Sequence, residues 1–95
     1  MNRQVVLPRP ISQRIGGFGL SRALFVQLFT RVHNDIAAVY ERRRHHRAAD
    51  DDRLYLQTMV LPGVQEQHLF RFAIDDSTSS EHLIIVDVWH AVRPQ

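Results

Sequence analysis

From Ser21 to Arg47 the chain carries neither glycine nor proline, and its apolar residues return every three or four positions. Phe25, Leu28, Phe29, Val32, Ile36, Val39 and Tyr40 fall on one side of a helical wheel, which predicts an amphipathic helix over 21–47. Ser21 suits the N-cap, where its hydroxyl can accept from an early backbone N–H. Such a helix would span about 40 Å, so a kink, a break or a last turn projecting past the core is expected. Upstream, the β-branched stretch 4–7 is closed by Pro8 and Pro10 and reads as a short edge strand. A brief helical segment is expected over 11–15, with Pro10 near its start; Gly16 and Gly17 end it, and Gly19 loosens the link to the long helix.

After Asp50, Asp51 and Asp52 the period changes from helical to extended. Residues 54–61 read as a strand stopped by Pro62 and Gly63. Over 67–75 the pattern alternates, with His68, Phe70, Phe72 and Ile74 on one face and Leu69, Arg71 and Ala73 on the other. A polar loop, Asp76 to Ser80, leads to an almost continuous apolar run over 82–90, expected to be central and buried on both faces. Short connections make these three strands an antiparallel meander. The expected fold is α+β: an N-terminal strand, a helical hairpin with a long second helix, then the three-strand meander. Its core should join Phe70, Phe72, Ile74, Val86 and Val88 to Phe29, Val32 and Ile36.

With 95 residues there is room for one core, so 1–95 reads as a single domain. No apolar run approaches the roughly 18 residues of a membrane span, and residues 1–10 lack the apolar stretch of a signal peptide. A cytoplasmic location is the expectation. Absence of cysteine excludes a disulfide framework and thiolate metal sites. All 12 basic residues are arginine, a bias that a GC-rich genome also produces. Their guanidinium groups are suited to bidentate contacts with phosphate and carboxylate. Net charge is only +2, yet Arg42, Arg43, Arg44 and Arg47 cluster with His45 and His46 at the predicted helix C-terminus. That block is a candidate nucleic-acid contact, and cations there also complement the helix dipole.

Two segments, GLSRALFVQLFTRVHNDIA and HLFRFAIDDSTSSEHLIIVDVWHAVR, together with the order strand, helical hairpin, three strands, carry a resemblance to the RelE/ParE toxin superfamily of type II toxin–antitoxin systems. The second segment is similar to the family's closing hairpin, an aromatic strand ending in acidic residues and an aliphatic strand ending in His and Arg. The resemblance implies a toxin neutralised by an acidic, partly disordered antitoxin, inhibiting translation by ribosome-dependent mRNA cleavage. Cleavage by the ribose 2′-OH needs proton transfer and cations at the phosphate. On that reading His90, Arg71 and Arg93 form the catalytic set. Leu69 stands where the family often has arginine, and Tyr55, Gln57 and Met59 replace basic residues of the preceding strand. The other reading is therefore a non-enzymatic, ParE-like inhibitor of DNA gyrase, or an antitoxin-binding module without catalysis.

Each candidate also has a plainer account. His90 fits a surface histidine at a strand end, Arg71 could pair with Asp87 across strands, and Trp89 could be a stacking platform or edge packing. Asp75 and Asp76 suit turn formation. His45 and His46 diverge on a helix, and His33 is remote from them, so no metal site is expected. No cofactor is implied.

Overall fold

The computed structural model describes residues 3–43 and 54–94. Arg44 and Arg47, with His45, His46, Asp50, Asp51 and Asp52, lie outside the described residues. The elements run β1 (Gln4–Val6), α1 (Arg9–Gly16), α2 (Arg22–Arg43), β2 (Tyr55–Pro62), β3 (Glu66–Asp75) and β4 (His82–Pro94). The α+β expectation holds in its element order. β2, β3 and β4 form the antiparallel meander, and β1 joins it in parallel beside β4, giving the order β1-β4-β3-β2.

Local chemistry accounts for the element ends. Ser21 Oγ accepts from the Leu24 backbone N–H at 3.2 Å, the cap expected of it. Proline stands in the first turn of α1, where its missing N–H costs nothing. Gly19, at φ 74°, occupies the left-handed region that side chains resist, and it redirects the chain into α2. At the β3–β4 loop, Asp75 Oδ1 accepts from the backbone N–H groups of Ser77 and Thr78 at 2.9 and 3.2 Å. Hydrogen bonds from the Thr78 hydroxyl and the Ser77 amide hold the Asp75 carboxyl down at about 2. This aspartate shapes a turn.

α2 lies along one face of the sheet. Its stripe Leu24, Leu28, Val32, Ile36, Ala37 and Tyr40 is buried with Phe70, Phe72 and Ile74 of β3 and Met59 and Leu61 of β2. Ile11 and Ile15 bring α1 into the same core. Phe29 packs at its rim, partly exposed, against Phe25 at 4.6 Å between ring centres.

Two expectations for the last strand fail. It is not buried on both faces: Leu83, Ile85 and Val88 are buried while Trp89 is 47 % exposed, so one face stays open. Val86 is not in the core either, being 40 % exposed. The reason is a β-bulge. Ala73 pairs with Asp87 and Ile74 with Ile85, so Val86 is an extra residue that shifts the inward positions from 83 and 85 to 88. β4 also runs past the expected end at 90, to Pro94. Among the described residues, no helix is long and apolar enough to cross a membrane.

Candidate nucleic-acid interface

β3 and β4 position the candidate residues, and their register sorts them by face. Arg71 stands directly across from Trp89, and Arg93 across from Gln67. Side chains two apart on a strand share a face, so Arg71, Trp89 and Arg93 lie together on the open face. Four residues of strand put Trp89 and Arg93 about 13 Å apart along β4. Around Arg71 and Trp89, with Thr58, Val60, Leu69, His90 and Ala91, the sheet forms a depression of about 310 Å³. Arg93 donates to Gln67 Oε1 at 3.0 Å, which holds its guanidinium over the sheet. Arg71 is exposed and makes no ion pair among the described residues. Asp87, its expected partner, is taken by Arg14 of α1.

His90 stands on the other face. It pairs with Phe70, and its ring stacks on Phe70 and Phe18, both with centroids 4.9 Å away. His68 and Glu66 complete a chain that sequence reading missed. His68 Nε2 lies 3.0 Å from Glu66 Oε1, and His68 Nδ1 lies 2.9 Å from His90 Nε2. With both imidazoles neutral, one proton arrangement satisfies both contacts. Nε2–H of His68 donates to the carboxylate, His90 Nε2–H donates to His68 Nδ1, and His90 Nδ1 keeps its lone pair. Gly63 permits this packing, since a Cβ there would stand 3.1 Å from the His68 ring. The signal in the sequence was His68 on the Phe70–Phe72 face, with His90 two residues beyond the inward Val88 on the same side.

Burial lowers the His90 pKa, the electrostatic interaction with the neighbouring His68 ring lowers it further, and Glu66 opposes both. A histidine whose folded pKa lies below its unfolded value binds its proton more readily in the unfolded chain. Stability should be full at pH 7 and above and should fall as pH drops below about 6.5. Urea midpoints between pH 7.5 and 5 should show this slope in the wild type and a shallower one in His90→Gln; equal slopes would remove His90 as its source.

The catalytic set expected from the sequence is thus divided by the sheet: Arg71 and Arg93 together on the open face, His90 beneath it. Arg42 and Arg43 end α2, both exposed, away from either group. No family model, curated protein or solved structure matches this chain.

Proposed function

We propose that this chain is a RelE/ParE-type toxin of a type II toxin–antitoxin system that acts on translation by binding ribosome-associated mRNA on its open sheet face, and that an antitoxin neutralises it. The observation that carries the reading is the pairing of Arg71 with Trp89 on an uncovered strand pair, with Arg93 further along the same face. Open sheets that present an aromatic ring among cations are a recurring solution for single-stranded RNA: the ring stacks on a base and guanidinium groups meet phosphates. The element order and the closing hairpin support the toxin class. Strand cleavage is not part of the reading, because the His90 ring is turned to the helix side, where it stacks on Phe18 and Phe70.

Trp89 is the chain's only tryptophan, so the interface carries its own reporter. A single-stranded oligoribonucleotide should quench its fluorescence, with affinity falling steeply as salt rises. In a ribosome-containing translation assay the protein should reduce peptide synthesis while the mRNA stays intact. Unchanged fluorescence at low salt would defeat the RNA reading, and cleaved mRNA would restore the enzymatic one. The apolar side chains Leu56 and Val60 on the same face favour a second reading, a non-enzymatic gyrase inhibitor. Purified protein should then block supercoiling and leave translation untouched.

A further inference from the structure

We propose that the chain pairs with a second copy of itself along the outer edge of β4, two-fold and antiparallel about Ala91, so that Trp89 of each copy meets Arg93 of the other. β1 lies beside β4 at His82, Leu83 and Ile84 only, while β4 runs on to Pro94. Past that short cover no strand of this chain stands beside the edge. The register tells which backbone groups point out of it. Gly63 N–H donates to Glu66 O across the β2–β3 hairpin, so even-numbered residues of β3 bond to β2 and odd-numbered ones to β4. Asp87, Trp89, Ala91 and Arg93, which stand opposite those odd residues, direct their backbone groups to β3. His90 and Val92 therefore turn theirs outward. Val88 fits the same sense, since its N–H reaches no strand and donates to Asp87 Oδ1 at 2.8 Å.

An uncovered edge is a template for another strand, and this one is complementary to itself. With Ala91 opposite Ala91 of the second copy, His90 stands opposite Val92 and the two exchange both of their backbone hydrogen bonds. The symmetry repeats that rung on the other side of the axis. The next rung sets Val88 against Pro94. Proline has no N–H to offer, and the Val88 N–H is already bonded, so this rung leaves no donor unpaired. Pro94, opposite Val88, also ends the pairing before Ile84, where β1 covers the edge. The side chains agree with the backbone. Trp89 and Arg93 lie on the open face, two residues to either side of Ala91, so each stands directly across from the other in the second copy. Such non-hydrogen-bonded pairs hold their Cα atoms about 4.5 Å apart, within reach of a guanidinium laid on an indole face. Arg93 is held on this face by Gln67, and Trp89 is half-exposed in the single chain. The second copy thus adds a cation to the surroundings of Trp89, and the two open faces continue as one sheet. This edge lies on the opposite side of the sheet from β2, and the pairing requires no nucleic acid.

Sedimentation of the full chain from micromolar to millimolar concentration should show a monomer of 11.1 kDa passing to a dimer. Trp89 should report the same transition, its emission moving to shorter wavelength as the ring is covered. In a sample with half of the chains isotope-labelled, an intermolecular contact should join the two Ala91 Hα protons, which face each other in a non-hydrogen-bonded pair. Ala91→Asp, at an exposed position, sets two carboxylates against each other at the axis and should give a folded monomer. The register is tested at Trp89. Trp89→Lys brings a cation to Arg93 and should raise the dimer dissociation constant about tenfold or more. Trp89→Glu replaces one attraction with another and should keep the dimer. A chain that stays monomeric at millimolar concentration would overturn the proposal, as would a dimer indifferent to Ala91→Asp. Equal effects of Trp89→Lys and Trp89→Glu, or intermolecular contacts at β2 in place of residues 90–92, would overturn it too.

Discussion

Phe72→Ala should cost about 3–5 kcal/mol of folding free energy. Phe72 has no solvent exposure and sits at the middle of β3, paired with Gln57 on one side and Val88 on the other. Its ring stacks with Phe70 at 6.4 Å, and its neighbours on both strands are held by the ladder, so they cannot collapse into the space. Truncation therefore removes apolar burial and leaves a cavity as well. A domain of this size holds about 5–15 kcal/mol in all, so the variant should be partly unfolded at 37 °C. Urea unfolding measures the loss directly. A cost below about 1 kcal/mol would mean that the face of β3 toward α2 is packed far more loosely than its burial indicates.

Reversing both open-face cations, Arg71→Glu with Arg93→Glu, should weaken oligoribonucleotide binding on the order of a hundredfold at low salt. Each arginine removed from a phosphate lowers the slope of log K against log salt by roughly one, and reversal adds repulsion. Both side chains are solvent-facing, so folding should be little changed. His90→Gln serves as the comparison, because it lies under the sheet and should leave RNA affinity where it was while altering the pH dependence of stability. If His90→Gln abolished RNA association and the double reversal did not, the binding face has been assigned to the wrong side.

Much of the fold was legible because the two periods are cleanly separated along the chain. Seven apolar residues at helical spacing defined α2, and the Phe70–Phe72–Ile74 alternation assigned the faces of β3 correctly. What the sequence did not reveal arises from non-local geometry. The run over 82–90 is so uniformly apolar that it conceals the bulge at Val86, and a one-residue insertion inverts every face assignment beyond it. Val86 left the core for that reason, while His90, two residues beyond Val88, shares its inward face, away from Arg71 and Arg93. The Glu66–His68–His90 chain joins diagonal neighbours on two strands whose register the sequence does not state. Gln57 read as an ordinary strand residue; only the packing of α2 over it makes its carboxamide a buried, unsatisfied group. Of the arginine block, Arg44 and Arg47 lie outside the described residues, while Arg42 and Arg43 stand at the end of α2.

The parallel pairing of β1 with β4 has a consequence for how the molecule is made. Gln4, Val5 and Val6 find their partners at His82, Leu83 and Ile84, and Arg3 reaches the Asp76 carbonyl at 2.7 Å. β1 must wait for β4, about 80 residues later in the chain, to be made. Until then α2 has no complete sheet to cover it, and its apolar stripe is bare in the nascent chain. Closing so long a loop is the slow part of folding for such topologies. The docking of β1 is therefore a late step that follows the synthesis of β4, and the half-built sheet is the species most in need of a chaperone or of a partner that binds early.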